Sequence, residues 1–511
     1  MYSHEGEKQY NEIESSIMET VSIDDDSRPY YTRKANIARS LRFDLIRGVT
    51  YIPAFLFAIC QWVWEIFLVF FGIRSTYSIA TDDEFVKMFD KIYPFGEFTT
   101  EELMSFPGND EPEVVRVLNT SDVEVMKDNQ FPGTYMEPVK IVMRKKNTSS
   151  SSSSSEYEIY SINIQNVTML SSQKNDKNTD AWDLAKLFAL SALHYFRLMK
   201  DHPYVHMQQE LLIAATFYMF DPIKTKKKHE IYQLLCQHFD FTSDINYGVL
   251  ETKKSPLYAR DSSWLCYDAH TVSREGNQDL IGRGFEQASS SASAKFGHPT
   301  TEELAPHFQA ILSLTTSVVN SMMDRIRTLD DDASRFKEHD DIFKWITFIQ
   351  KHMFYPSMPE GLGADGFIDR PYLSMLLADY IYRVSVVHSA EHHFMAISDQ
   401  RYHPMSIWTP WSENVKIPRS KFFPWRFGVN AWNSSAKVVP LFSLLKQLMY
   451  NNLFAKWTNN YFFNGCLHKT IYEFESNNKD LQESATMFRQ TLASLPDTFL
   501  PPSRCARSVM W

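Results

Sequence analysis

The fold class follows from residues 181–199, AWDLAKLFALSALHYFRLM. Apolar side chains recur in this segment at intervals of three and four residues, which is the spacing of one face of an α-helix. The same spacing returns almost to the end of the chain, without a fixed-period repeat. The segments that show it are MQQELLIAATFYMF (207–220), APHFQAILSLTTSVVNSMMDRI (305–326), PYLSMLLADYIYRVSVVHSAEHHFMAI (371–397) and VVPLFSLLKQLMYNNLF (438–454). The sequence therefore predicts a mostly α fold.

Two of these helical regions are rich in histidine. Histidines 388 and 392 are four residues apart, so both imidazoles can face one metal ion from one side of a helix. Histidines 202 and 206 have the same spacing, but Pro203 between them can kink the helix. Either pair alone is more often a surface or core pair than a metal site. The histidines concerned are His194, His202, His206, His388, His392 and His393.

A third histidine pair lies in HEIYQLLCQHFDFTSDIN, residues 229–246. On a helix, His229 and His238 would be about 14 Å apart along the axis. That separation is too large for two ligands of one ion, so this pair is not itself a metal site.

The overall composition excludes several functional classes. The chain has 511 residues, 44% of them hydrophobic, which is enough for one large core or two domains. Its net charge of −10 offers no basic footprint for nucleic acid, and no Gly-rich phosphate loop is present. The cysteines are scattered and odd in number, which indicates neither a zinc knuckle nor a disulfide framework. They are Cys60, Cys236, Cys266, Cys466 and Cys505.

The composition of the first 47 residues predicts a disordered tail with a basic end. Residues 1–30 are polar and acidic and have no apolar helical face. Basic residues then follow in a cluster that precedes the most apolar segment of the chain. They are Arg33, Lys34, Arg39, Arg42 and Arg47.

A membrane anchor is predicted for residues 48–73, GVTYIPAFLFAICQWVWEIFLVFFGI. As a helix this segment would be about 39 Å long, which exceeds a hydrocarbon core of about 30 Å. Trp62 and Trp64 suit a membrane-associated helix. Gln61 and Glu65 oppose this interpretation, since a carboxylate in lipid costs a few kcal/mol. The alternative is a buried or surface-lying helix of the main domain.

The charge distribution predicts how such an anchor is oriented. Basic residues before a single-pass helix favour a cytosolic N-terminus, which leaves the main domain lumenal or extracellular. Four glycosylation sequons, at Asn119, Asn147, Asn166 and Asn433, permit that orientation. The alternative is a soluble cytoplasmic protein.

The sequence of residues 81–511 predicts one large domain with a small β-hairpin region near its start. PVKIVMRKK (138–146) and YEIYSINIQ (157–165) have the character of short strands. The Ser-rich segment NTSSSSSSSEYE, residues 147–158, separates them as a loop.

Four motifs stand out in this domain: WDLAK (182–186) with its histidine-rich helix, HEIYQLLCQHFDFTSDIN (229–246), HSAEHHF (388–394) and LPPSRCARSVMW (500–511). Together they resemble the lipoxygenase family. The family has proline where this chain has Glu230, and the resemblance makes His229, His238 and Asn246 supporting residues instead of ligands. Four motifs in the family's order are more specific than any one of them, and the resemblance covers roughly residues 80–511. It implies a lipoxygenase-like large helical domain.

The resemblance implies an iron site whose first two ligands are histidines five residues apart on the first helix. Counted forward from the tryptophan of WDLAK, these positions are Arg197 and His202. Counted back from the glutamate of MQQE, they are Phe196 and Asp201. The chain is one residue shorter here than the family, and a gap after His202 keeps one ligand. Either way the first histidine is missing, and Asp201 is an alternative carboxylate ligand.

The second helix and the chain end supply the other implied ligands. The spacing gives His388 and His392, whereas aligning SAEH with the family's small-residue run gives His392 and Ala396. The chain ends in Trp511 where the family ends in isoleucine, and its carboxylate can still bind a metal. The predicted metal ligands are therefore His202, His388, His392 and the carboxylate of Trp511.

The resemblance implies an oxidoreductase, a non-haem iron dioxygenase of polyunsaturated lipids. In that family a ferric hydroxide removes a hydrogen atom from the methylene between two cis double bonds, and O2 adds to the radical. Manganese is the alternative metal. The missing histidine favours a second hypothesis, a lipoxygenase-like protein without metal or activity that serves as a lipid-binding or membrane-tethered interaction protein.

Overall fold

The computed structural model describes the chain in separate ranges. They are residues 80–92, 99–107, 111–121, 135–146, 156–196, 229–239, 304–329, 331–352, 368–390, 407, 409–417, 466–474, 478–496 and 500–508, with residues 21–22, 31–32 and isolated positions within 56–71 and 212–220.

Little of the chain before the main domain is described. Strand β1 (Val21–Ser22) pairs antiparallel with β2 (Tyr31–Thr32) inside the segment predicted as a disordered tail. The other residues of that tail lie outside the described residues, so its disorder remains a prediction. Within the described part of the chain, no helix is long and apolar enough to cross a membrane, so the spanning anchor gains no support.

A five-stranded antiparallel sheet follows helix α1 (Asp82–Ile92). Its strands are adjacent in space in the order in which they occur along the chain. They are β3 (Thr99–Met104), β4 (Glu113–Asn119), β5 (Val139–Lys145), β6 (Tyr157–Ile164) and β7 (Val167–Leu170).

The predicted hairpin is confirmed as β5 and β6, which pair from Val139 opposite Ile164 to Lys145 opposite Tyr157. The prediction of a single small hairpin was nevertheless too small, because three further strands extend it. Strand β3 has the polar sequence TTEELM at a sheet edge, so it lacks the apolar alternation that marks a strand. Strand β7 follows a two-residue turn in which Gln165 and Asn166 have positive φ.

Six further helices build the described α part of the domain. Those in segments 181–199, 305–326 and 371–397 confirm the helical periodicity where the structure describes them. The helices are α2 (Thr179–Phe196), α3 (Glu230–Leu235), α4 (Ala305–Arg327), α5 (Asp332–His352), α6 (Arg370–Ile381) and α7 (Lys479–Ala493).

Helix α4 contributes a buried apolar face to the largest described core. Ile311, Leu314, Val318 and Met322 recur at three- and four-residue spacing and are fully buried. This helix packs against both α6 and α7. Burial of each such side chain contributes about 1.5–3 kcal/mol, so this face is a main source of stability.

Polar contacts fix the alignment of the helices around α4. Thr315 donates a hydrogen bond to the backbone oxygen of Ser374 on α6, at 3.0 Å. Asn478 caps α7 by accepting from the backbone nitrogen of Leu481, and its amide donates to Ser321 on α4 at 2.8 Å.

The WDLAK segment joins α2 to the beginning of α1. Trp182 Nε1 donates to Asp82 Oδ1 at 2.9 Å, and Lys186 Nζ donates to the same atom at 2.8 Å. Lys186 is 2% exposed and also contacts the Ala80 carbonyl at 2.5 Å and Asp183 Oδ1 at 3.0 Å. Burial by itself raises the pKa of Asp82. The charge and hydrogen bond of Lys186 and the hydrogen bond of Trp182 together lower this pKa by more, so the net shift is downward. The carboxylate is therefore charged and paired.

One buried histidine lies at the beginning of α4. His307 is 2% exposed, and neither ring nitrogen has a hydrogen-bond partner among the described residues. Burial lowers the pKa of His307 to about 4. The ring is thus neutral in the folded protein near pH 7, whereas in an unfolded chain it takes up a proton near pH 6.5.

We expect His307→Leu to make stability less dependent on pH. Since the unfolded chain binds this proton below about pH 6.5 and the folded chain only below about 4, folding free energy is lost as pH falls through that window. The loss for one group is about 1.4 kcal/mol per pH unit, and the variant should lack that contribution. Urea unfolding at pH 7, 6 and 5 measures the slope. An unchanged slope in the variant would contradict the assigned burial of a neutral ring.

Candidate functional site

His388 lies directly after an irregular turn at the end of α6. Residues Tyr382–Val387 form a π-helical turn, and the chain returns to α-helical geometry at His388. The His388 side chain is buried, with 1% exposure. Single π-helical turns inside α-helices are rare and are frequently found at functional sites. This is the only predicted metal ligand that the structure describes.

Buried polar contacts stabilise the π-helical turn. Ser385 in the turn donates a hydrogen bond to the carbonyl of Ile381, the last residue of α6. Arg383 Nε lies 2.5 Å from Asp379 Oδ2, and both side chains are almost completely buried. A buried ion pair of this kind is costly to break, because loss of one partner leaves an uncompensated charge. The turn is therefore held in one arrangement.

The C-terminal segment is fastened to the same helix. The backbone nitrogen of Ala506 donates to Ser389 Oγ at 2.8 Å, directly beside His388. Leu467 N donates to the Cys505 carbonyl at 2.7 Å. Ser508 is fully buried. Ala506 therefore lies in the neighbourhood of His388.

His238 also contacts the C-terminal segment. Its Nδ1 lies 2.5 Å from the Arg507 carbonyl oxygen, and its Nε2 lies 3.1 Å from Tyr472 Oη. Burial lowers the pKa of His238 to about 4, so the ring is neutral and carries one proton. A carbonyl only accepts, so Nδ1 donates to Arg507 and Nε2 accepts from Tyr472. His238 thus links Tyr472 to the backbone of the C-terminal segment.

A second group of possible metal ligands lies on α3 and α5. One ligand atom each of His229, Glu230 and Glu338 lies within 4.8 Å of the others. The Arg325 guanidinium already bridges both carboxylates: its Nε is 2.6 Å from Glu230 Oε1, and its Nη2 is 2.5 Å from Glu338 Oε1. His229 Nδ1 accepts from the backbone nitrogen of Ile231 and so caps α3. This group is therefore organised as an ion-pair network around an arginine.

The other predicted site residues lie outside the described part of the chain. This applies to three predicted ligands, to both alternatives for the missing first histidine, and to the register of the second pair, so these assignments remain predictions. Nothing in the sequence predicts the π-helical turn or the hydrogen bond between His238 and the Arg507 carbonyl. The residues outside the description are His202, His392 and Trp511, with Arg197, Asp201, Asn246 and Ala396, and the side chain of Phe196.

No protein-family model matches the sequence, and no curated protein does. Solved structures do match. A structure of the manganese lipoxygenase of Gaeumannomyces graminis has a TM-score of 0.63 at 13% identity, covering 99% of this chain and 98% of that chain. A lipoxygenase variant in complex with arachidonate has a TM-score of 0.61 at 13% identity, covering 100% and 82%. A calcium-dependent 11R-lipoxygenase has a TM-score of 0.61 at 13% identity, covering 98% and 80%. The fold is therefore lipoxygenase-like.

Proposed function

We propose that the protein is a non-haem metal dioxygenase that adds O2 to a polyunsaturated fatty acid or related lipid. The observation that carries this proposal is the place of His388 in a lipoxygenase-like fold. It is a buried imidazole directly after a π-helical turn, with the C-terminal segment hydrogen-bonded to the next residue.

The donor types fit a transition metal. Imidazole and carboxylate ligands suit iron or manganese, and a set with open positions is typical of non-haem oxygenases. Iron is the proposed metal and manganese the alternative; one structural neighbour is a manganese lipoxygenase. When bound, the metal supplies one-electron chemistry for removal of a hydrogen atom from the methylene between two cis double bonds. The proposed ligands are His202, His388, His392 and the Trp511 carboxylate.

The protein's own residues have two tasks in this proposal. His238 and Ser389 hold the C-terminal segment, which sets where the terminal carboxylate begins its approach. The apolar side chains of α4 and α6 exclude water from the region around His388. A dry, fixed site protects a radical intermediate from side reactions.

A second candidate function is lipid binding without oxygenation. The sequence places Arg197 or Phe196 where the family has its first histidine ligand. Loss of one imidazole weakens metal affinity, and a nearby cation opposes metal binding. In this case the fold serves as a lipid-binding or membrane-tethered interaction protein.

Metal content and oxygen uptake of the full-length chain separate the two candidates. We expect about one iron or manganese ion per chain after expression with both metals supplied. O2 consumption is expected with arachidonate and not with the saturated C20 acid, which lacks a methylene between double bonds. A metal-free protein that still binds arachidonate would support the second candidate. Absence of both metal and fatty-acid binding would refute both.

A further inference from the structure

An exposed apolar stripe lies on the helical residues between positions 56 and 71. The large apolar side chains on it are 43–59% exposed, an unusual exposure for such residues. At about 100° per residue, these positions and Cys60 fall within an arc of about 100° on one side of a helix. Ile59, Ile66 and Leu68 flank that arc and are half-buried. The stripe consists of Leu56, Cys60, Val63, Trp64, Phe67 and Phe71.

The stripe carries three aromatic rings that lie next to one another along its length. Trp64 and Phe67 have ring centroids 5.4 Å apart and are nearly parallel. Phe67 and Phe71 follow with centroids 4.3 Å apart. Aromatic side chains of this kind are favoured at the boundary between lipid headgroups and acyl chains.

We propose that this stripe binds the surface of an anionic lipid bilayer, with its helix lying in the headgroup region. The chain immediately before it is basic: residues 33–47 contain five basic residues and one acidic residue, Asp44. The whole chain has a net charge of −10, so it is not attracted to anionic lipid by its overall charge. The attraction therefore comes from the basic cluster itself. The apolar stripe matches the boundary of the acyl chains, and the basic cluster matches the anionic headgroups of such a membrane surface.

A helix that lies in the interface agrees with the sequence better than one that spans. On a helical wheel of the sequence, position 65 falls on the side opposite the stripe. A spanning helix exposes all its sides to hydrocarbon, where the Glu65 carboxylate is unfavourable, whereas an interfacial helix buries one side only.

Cys60 allows a direct test on the full-length chain. It is exposed on the stripe, whereas Cys236, Cys466 and Cys505 are buried. In a Cys266→Ser background, an environment-sensitive NBD label on Cys60 reports contact with vesicles. With vesicles of phosphatidylcholine containing phosphatidylserine, we expect a blue shift of NBD emission. Lipids with a spin label near the headgroup should quench the NBD emission more strongly than lipids with a label at the acyl-chain end. Vesicles of pure phosphatidylcholine should give a weaker signal.

A matched pair of variants tests the stripe itself in vesicle sedimentation. Trp64→Ser with Phe67→Ser should lower the partition coefficient at least ten-fold, because two large apolar side chains leave the lipid. Phe336→Ser on α5, where the ring is also 59% exposed, should leave it unchanged.

Four results would overturn the proposal. The first is no binding to anionic vesicles, and the second is an equal loss of binding in the two variants. The third is NBD quenching that is strongest by labels at the acyl-chain end, and the fourth is a blue shift of NBD emission when the chain self-associates without vesicles. The third result would indicate a spanning helix, and the fourth a second copy of the chain as the occupant of the stripe.

Discussion

Replacement of Lys186 by Met should destabilise the fold by about 3–5 kcal/mol, because it removes one partner of a buried charge pair. The ammonium group is 2% exposed and lies 2.8 Å from Asp82 and 3.0 Å from Asp183. Its removal leaves the carboxylate of Asp183, which is 6% exposed, without this cation. A loss of this size is a large fraction of the 5–15 kcal/mol that stabilises a typical domain. Urea unfolding of the full-length chain measures it.

Two further variants show whether the ion pair causes the effect. Lys177→Met removes an exposed lysine just before α2 and should change stability by less than about 0.5 kcal/mol. The double variant Lys186→Met, Asp82→Asn should lose less than the sum of the two single variants, because they share one interaction. A Lys186→Met effect below about 1 kcal/mol, or strict additivity, would be incompatible with a stabilising buried pair.

The other large effect is expected at the proposed metal site. His388→Ala should reduce metal content from about one ion per chain to about zero, because a site that already lacks one histidine has little affinity in reserve. Elemental analysis of the purified variant gives the result. Near-ultraviolet circular dichroism must remain native, since the side chain is buried with 1% exposure and its loss leaves a cavity.

Variants at neighbouring positions locate the metal. Glu338→Gln should retain it, since Arg325 neutralises this carboxylate in the ion-pair network. Metal loss from Glu338→Gln with retention in His388→Ala would move the site to the His229 group. His392→Ala distinguishes the two registers: if His388→Ala has little effect while His392→Ala alone removes the metal, then His392 is the first ligand of the pair.

The sequence by itself determined the elements whose signal is local. Helices α2, α4 and α6 follow from apolar residues at three- and four-residue spacing. The β5–β6 hairpin follows from two strand-like segments around a Ser-rich loop. The order of the motifs indicated a lipoxygenase-like fold, which the solved structures support. Each of these signals depends on neighbours along the chain, so each can be recognised without coordinates.

Only the tertiary structure decided which distant groups meet. Lys186 pairs with Asp82, 104 residues away, and His238 binds the Arg507 carbonyl, 269 residues away. Arg325 lies between the carboxylates of Glu230 and Glu338, so a group with the composition of a metal site is an ion-pair network. The polar edge strand β3 can be recognised only from its backbone pairing with β4. Such contacts follow from the packing of whole helices and sheets, and no residue carries a local mark of the partner that it meets there.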